Sequence, residues 1–223
     1  LITLWGILRL IKLFRGGNTN KLFCYLRIAL YALCILFVGI FAILCGLDVA
    51  GAPAQTAKLV KPGDTVMIIG AGGKSGMLCC YEAKKRAGVT GKVIGICHSE
   101  RSTKRMMDLG FCDEVFSADA TQPVPVMKKI EELTNGQMAD VCINNVNIPD
   151  TEMTSILVTK NTGVVYFFSM ATSFTKAALG AEGVGSDVTM IVGNGYTKGH
   201  AEITLQELRE CEALRKIFTE LYA

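Results

Sequence analysis

Histidine is scarce in this sequence, and its cysteines lack the spacing of a metal site. There are two histidines, His98 and His200, and nine cysteines, among which no CxxC pair occurs. Structural and catalytic zinc sites are usually built from closely spaced cysteine and histidine ligands. The sequence therefore predicts no metal site, and reduced, mostly buried thiols in a cytosolic fold are the simplest interpretation.

Most of the chain also lacks a large net charge of either sign. Of the 23 basic residues five precede Asp48, and no acidic residue does. From Asp48 onward 18 basic residues therefore stand against 20 acidic ones. No basic patch with interleaved aromatic residues is present, so the composition argues against a nucleic-acid partner.

The first 46 residues differ from the rest, and we treat residues 1–46 and 47–223 as separate units. Ile28–Leu47 contains no charged residue over twenty positions. A helix of that length is about 30 Å long, the thickness of a bilayer core. A transmembrane helix is one interpretation of 28–47. A buried hydrophobic segment and non-native sequence from a shifted reading frame are the alternatives, and together we prefer them. We expect a cytoplasmic protein, membrane-associated only if the span is genuine.

Beyond residue 53 short apolar segments alternate with helical ones. Predicted strands cover residues 65–69, 93–97, 114–116, 139–143, 164–168 and 188–192. Predicted helices cover residues 75–87, 102–109, 128–133 and 204–221, the last one beginning with a capping box formed by Thr204 and Glu207. This alternation predicts an α/β fold with a doubly wound parallel sheet of the Rossmann type over residues 47–223.

A glycine-rich turn links the first strand to its helix. Gly70, Gly73 and Gly76 form a GxxGxxG pattern, which misses the usual GxGxxG spacing by one residue. Such a turn lets a pyrophosphate approach the backbone and the free N–H groups of the helix N-terminus, so Lys74 and Ser75 are predicted to lie at the cofactor too. A P-loop requires a further glycine at position 68, which is Ile68, and is excluded.

The end of the second strand bears on the choice of dinucleotide. It continues as His98-Ser99, with no acidic residue before Glu100. NAD sites usually place a carboxylate there to bind the ribose 2′-hydroxyl. Without it Arg101 is free to pair with a 2′-phosphate. The cofactor is therefore NAD or NADP, and Arg101 alternatively only solvates the start of a helix.

Polar residues follow three later strands. Asn145 lies in the first such segment, Ser169-Met170 in the second and Asn194 in the third, flanked by Gly193 and Gly195. The carboxyl ends of parallel strands meet at one edge of a sheet, where ligands bind in α/β folds. We predict that these residues complete the cofactor site.

Several strings resemble one known superfamily. Val60–Val66 followed by the glycine turn resembles the cofactor domain of the medium-chain dehydrogenase/reductase superfamily. Longer strings are similar to a family within it, the diamino-acid dehydrogenases of bacterial lysine fermentation: Leu47–Gln55, Lys74–Cys79, Phe167–Gly185 and Met190–Lys198. The similarity extends over about residues 47–222.

The resemblance implies an activity and a missing part. It implies NAD(P)⁺-dependent oxidation at C3 of 3,5-diaminohexanoate, which releases ammonia and leaves 5-amino-3-oxohexanoate. Family members carry an upstream catalytic domain that this chain lacks, and residue 1 is not Met. We therefore expect a fragment that binds nucleotide and is inactive alone. Candidates for the substrate side are Ser169, Thr172, Ser173, Lys176 and Glu182, and no residue is assigned a catalytic role.

Two other functions stay open. A quinone-reductase-like NADPH oxidoreductase has the same glycine pattern and the same lack of zinc ligands. A membrane-anchored nucleotide-binding protein without catalysis is suggested by residues 28–47. The expected partners are a small-molecule diamino acid and, from the resemblance, further copies of the chain.

Overall fold

The computed structural model describes residues 25–26, 28–30, 32–33, 47, 49–193 and 197–222. Most of the predicted unit 1–46, most of the predicted span 28–47, and the predicted site residue Asn194 lie outside these residues. Among the residues described, no helix combines the length and the apolar character needed to cross a bilayer.

From residue 51 onward helices and strands alternate. The helices are α1 Gly51–Leu59, α2 Lys74–Ala87, α3 Glu100–Leu109, α4 Pro123–Leu133, α5 Glu152–Leu157, α6 Phe174–Val184, α7 His200–Glu210 and α8 Glu212–Tyr222. The strands are β1 Thr65–Ile69, β2 Lys92–Cys97, β3 Glu114–Ser117, β4 Ala139–Asn144, β5 Thr159–Phe167 and β6 Thr189–Val192.

All six strands form one parallel sheet in the order β3-β2-β1-β4-β5-β6. The chain moves outward from β1 to β3, then returns to the other side of β1 and moves outward again to β6. A crevice opens where the strand order reverses, between the carboxyl ends of β1 and β4. The predicted α/β Rossmann class is confirmed.

Both faces of the sheet are buried, which explains why its strands are apolar at consecutive positions. In β1, Val66 and Ile68 pack with α1, α2, α7 and α8, while Met67 and Ile69 pack on the opposite face with α4 and α6. All four side chains are fully buried. One strand thus supplies two cores, and the helices lie on both sides of the sheet.

The predicted capping box at Thr204 is wrong. Thr204 lies inside α7 and is fully buried, and the helix begins one turn earlier, after Gly199 with its φ of +84°. Two residues three positions apart also lie next to each other on one face of a helix, so this spacing is not specific to a capping box. In α7, Thr204 and Glu207 both lie on the buried face. The predicted single helix over 204–221 is in fact two helices that meet at Cys211.

Candidate functional site

A cleft of about 500 Å³ lies in the crevice at the carboxyl ends of β1, β2, β3 and β4. Its walls come from the glycine turn and from the segments that follow β2, β3 and β4. The lining residues that bear on its chemistry are Gly70, Gly72, Gly73, His98, Ser102, Asp119, Thr121, Asn145 and Thr151.

The glycine turn brings the start of α2 to the floor of the cleft. The N–H groups of Gly70 and Ala71 both donate to the Ile96 carbonyl, which ties the turn to β2. Gly70 has a φ of +83°, and a Cβ on Gly76 would lie 2.0 Å from the Gly70 carbonyl oxygen. The turn can therefore fold this tightly only with glycine at these positions. The turn leads directly into the N-terminus of α2, whose first N–H groups have no acceptor within the helix.

Lys74 and Ser75 lie in the first turn of α2, but their side chains do not line the cleft. The Lys74 ammonium lies 5.2 Å from the centre of the Tyr222 ring, in contact with α8, and Ser75 is buried. Their contribution at this position is the backbone N–H groups and the positive end of the helix dipole, both of which favour an anion.

The residues after β2 divide between two surfaces. His98 lines the cleft, whereas Ser99 caps α3 and accepts a hydrogen bond from the Ser102 N–H at 3.3 Å. Arg101 lies in a separate depression between α3 and α8. The structure thus does not bring Arg101 together with the cleft.

An acidic group that the sequence reasoning missed lies after β3. Asp119 lines the cleft and accepts hydrogen bonds from the backbone N–H of Thr121, at 2.9 Å, and from its hydroxyl, at 2.7 Å. These bonds hold the pKa of the Asp119 carboxyl below its usual value. The signal in the sequence was the Asp-x-Thr turn directly after the third predicted strand.

Two asparagines at the end of β4 have different surroundings. Asn144 is fully buried and donates from Nδ2 to the hydroxyls of Thr151 and Ser155, at 2.8 and 2.9 Å, so it fixes the loop beside the cleft. Asn145 lines the cleft and accepts at Oδ1 from the Cys79 thiol. Its Nδ2 is buried and has no hydrogen-bond partner among the residues described.

The segment after β5 lies outside this cleft. Ser169 is largely buried and its hydroxyl accepts from the Ala171 N–H, while the Met170 side chain is 82% exposed. Thr172 follows them on the same segment. These residues are not among those that line the cleft.

The other substrate-side candidates lie at or on α6. Ser173 caps α6 by accepting from the Lys176 N–H, and Lys176 forms an ion pair with Asp150 that raises the lysine pKa. Glu182 is exposed near the end of the helix. Glu152, which sequence reasoning missed, is buried and accepts from the Ser173 N–H at 2.7 Å, which fixes the start of α6.

A parallel sheet in this strand order, with a glycine turn and a helix N-terminus at the reversal point, defines a Rossmann-type dinucleotide-binding domain. The family described as zinc-binding dehydrogenase matches residues 75–183. The resemblance to the cofactor domain of medium-chain dehydrogenases and reductases is confirmed, and the fold implies a nicotinamide cofactor. Among the residues described, no three histidine, cysteine or carboxylate side chains come together as they would around a metal ion.

Two curated relatives have high sequence identity to this chain. It is 63% identical over 179 residues to the L-erythro-3,5-diaminohexanoate dehydrogenase of Acetoanaerobium sticklandii and 57% identical to that of Fusobacterium nucleatum. Each match covers 80% of this chain and 52% of the relative. The chain therefore spans about half the length of these relatives, as the expected fragment would.

Solved structures share the fold at lower identity. A mycobacterial quinone oxidoreductase superposes with a TM-score of 0.57 at 19% identity, covering 82% of this chain and 54% of its own. An alcohol dehydrogenase from Aeropyrum pernix gives 0.58 at 23% identity, covering 74% and 46%. These likenesses show the fold of the cofactor domain.

Proposed function

We propose that the cleft binds a nicotinamide dinucleotide across the reversal point of the sheet. The observation that carries this proposal is the glycine turn, which presents the N-terminus of α2 to the cleft as an anion site. The residues present fit such a group, because Asn145 adds an unsatisfied buried amide beside the turn. The pyrophosphate would lie on the α2 N-terminus, held by backbone N–H groups.

The two halves of the dinucleotide would lie on either side of β1. A Rossmann sheet consists of two mononucleotide-binding halves that meet at the reversal point. The adenosine half would lie along the ends of β2 and β3, near His98 and Asp119. The nicotinamide half would lie toward β4, near Asn145. The cofactor roles of Gly70, Gly73 and Gly76 follow from this placement.

We propose NAD⁺ rather than NADP⁺ as the preferred cofactor. Asp119 places an ionised carboxylate on the adenosine side of the cleft, where it would repel a 2′-phosphate. Among the residues described that line the cleft there is no arginine or lysine. Arg105, outside this lining, donates from Nη1 to the Gly72 carbonyl at 3.5 Å. Arg101, the residue that favoured NADP⁺ in the sequence, faces another depression.

We further propose that the complete protein is a dehydrogenase acting on L-erythro-3,5-diaminohexanoate. The 63% identity to a relative of that name supports this substrate. The bound nicotinamide would supply the hydride acceptor, and this domain would orient it. Ser169, Met170 and Asn194 stay predictions for the cofactor, and Thr172, Ser173, Lys176 and Glu182 for the substrate side.

Calorimetric titration of the 223-residue chain with NAD⁺, NADP⁺ and ATP tests the cofactor proposal. We expect saturable binding of NAD⁺, weaker binding of NADP⁺, and weak binding of ATP through its adenosine and phosphates alone. Absence of NAD⁺ binding by a folded sample would refute the proposal. NADP⁺ binding tighter than NAD⁺ binding would refute the cofactor preference only.

The reaction is tested in a hybrid of residues 47–223 with the upstream half of the Acetoanaerobium sticklandii relative. We expect NADH formation, followed at 340 nm, with 3,5-diaminohexanoate. The unmodified relative is the positive control. A hybrid that binds NAD⁺ but reduces quinones and leaves the diamino acid untouched would assign the quinone-reductase function instead.

A further inference from the structure

The side-chain amide of Asn145 can take two orientations, which exchange the positions of Oδ1 and Nδ2. The two ends of an asparagine side chain have nearly the same shape, but one accepts hydrogen bonds and the other donates them. The Asn145 Nδ2 has no acceptor among the residues described, so this end does not set the orientation. The contact at Oδ1 therefore decides it.

That contact is made by Cys79, which lies one turn into α2 from the glycine turn. Its sulfur lies 3.8 Å from Asn145 Oδ1 and donates a hydrogen bond to it. The side chain is fully buried, and its sulfur is also in contact with the hydroxyl of Thr56 on α1. The packing between α1, α2 and β4 thus holds the thiol in place.

The protonation state of the thiol makes it a donor. Burial raises the pKa of Cys79 to about 12, with the carboxyls of Glu207 and Glu82 contributing in the same direction. The S–H group is therefore present at any physiological pH. In donating to the amide oxygen, the thiol turns Oδ1 toward α2 and leaves Nδ2 free to donate.

We propose that Cys79 is a positioning residue, whose thiol orients the Asn145 amide so that Nδ2 is kept as a hydrogen-bond donor for the nicotinamide half of the dinucleotide. This role rests on the proposed cofactor. A buried N–H without an acceptor is costly to a fold, and an oxygen of the bound cofactor would supply the acceptor. We expect the Asn145 amide to contact the nicotinamide half because Asn145 follows β4, toward which that half is proposed to lie.

The test compares Cys79→Ala with Cys80→Ala by calorimetric titration of the full chain with NAD⁺ and with ADP. Both cysteines are fully buried neighbours on α2, and Cys80 contacts Cys112 rather than Asn145. We expect Cys79→Ala to weaken NAD⁺ binding about fivefold, the scale of one hydrogen bond, and to leave ADP binding unchanged. Cys80→Ala changes neither, and Cys79→Ser, which restores a donor, binds NAD⁺ as the unaltered chain does.

A double-mutant comparison tests whether Cys79 affects NAD⁺ binding through Asn145. In an Asn145→Ala background, Cys79→Ala should cause no further loss of NAD⁺ affinity, because the amide it orients is gone. Full NAD⁺ affinity in Cys79→Ala, an equal loss for ADP, or an equal loss in Cys80→Ala overturns the positioning role. Failure of the unaltered chain to bind NAD⁺ would instead refute the proposed function itself.

Discussion

The proposed preference for NAD⁺ over NADP⁺, two cofactors that differ by a phosphate, depends on one side chain, Asp119. Its carboxylate is held ionised by the Thr121 N–H and hydroxyl, on the side of the cleft where we propose that the adenosine lies. A 2′-phosphate brought there adds negative charge close to a fixed negative charge. The penalty is moderate because the site is open to solvent and screened by salt.

Replacing Asp119 with asparagine should therefore relax the choice of cofactor. We expect Asp119→Asn to bind NADP⁺ several-fold more tightly than the unaltered chain, with NAD⁺ affinity changed less, because only the 2′-phosphate meets the charge. Calorimetric titration with both cofactors at low salt measures this. Asp108→Asn, an exposed acid on α3, is the matched control. An unchanged NADP⁺ to NAD⁺ ratio in Asp119→Asn would place the ribose elsewhere.

A second residue affects stability rather than binding. Glu207 on α7 is fully buried, and neither of its carboxyl oxygens has a hydrogen-bond partner among the residues described. Burial and the neighbouring Glu82 carboxyl raise its pKa from 4.5 to about 9, against the opposing charges of Lys85 and Arg86. Glu207 is therefore protonated in the fold at neutral pH.

The raised pKa of Glu207 predicts that stability falls with rising pH. Between pH 4.5 and 9 the unfolded chain ionises this group and the folded one does not. The free energy of unfolding should therefore decrease by up to about 1.4 kcal/mol per pH unit from this group alone. Urea unfolding at pH 6, 7 and 8 measures the slope.

Matched variants on the same helix separate this effect from the rest of the chain. Glu207→Gln should remove its share of the slope and be more stable than the unaltered chain at pH 8. Glu202→Gln, an exposed acid on α7, should keep the slope. Identical slopes in Glu207→Gln and the unaltered chain would mean that the carboxyl is ionised in the fold.

At the scale of elements, the packing of α2 on β1 depends on two glycines. The Gly70 carbonyl occupies the space that a Cβ of Gly76 would need, with a separation of only 2.0 Å. Backbone atoms on both sides of the contact leave no flexible side chain to move. The glycine turn and the helix N-terminus are consequently one rigid unit.

Gly76→Ala should therefore destabilise the domain by at least about 2 kcal/mol, because the added methyl displaces α2 from the turn. Gly183→Ala is the matched control: it lies within helix α6, and its Cβ would meet no atom within 4 Å. We expect it to stabilise by about 0.5 kcal/mol through the higher helix propensity of alanine. Thermal unfolding followed by circular dichroism checks both. Gly76→Ala with unaltered stability would show that α2 can shift freely.

Elements that bury both faces were the ones that the sequence predicts well. The strand predicted at 65–69 coincides with β1. A run of consecutive apolar residues of that length is typical of a strand that is buried on both faces. The start of α7 was mispredicted from Thr204, since its pairing with Glu207 fits a cap and a buried helix face equally. Burial, a property of the tertiary structure, decides between the two.

At the scale of the molecule, the alternation of strands and helices predicts the class of fold, and the class places the site. Once β1 and β4 lie side by side, the glycine turn and Asn145 meet at the same edge. The sequence could not show which way each side chain turns. Arg101 and Lys74 face α8, whereas Asp119, unnoticed in the sequence, faces the cleft. The positions of Arg101 and Lys74 depend on where α8 packs, which local pattern does not encode.

In the proposed complex, a dinucleotide lies across the reversal point between β1 and β4. Amide NMR of the isotope-labelled 223-residue chain, titrated with NAD⁺, tests it most directly. We predict saturable shifts in the backbone amides of Gly72 to Ser75 and in the side-chain amide of Asn145, while the exposed amides of α6 stay unchanged. Saturable shifts confined to other surfaces, or none in a folded sample, would contradict the claim.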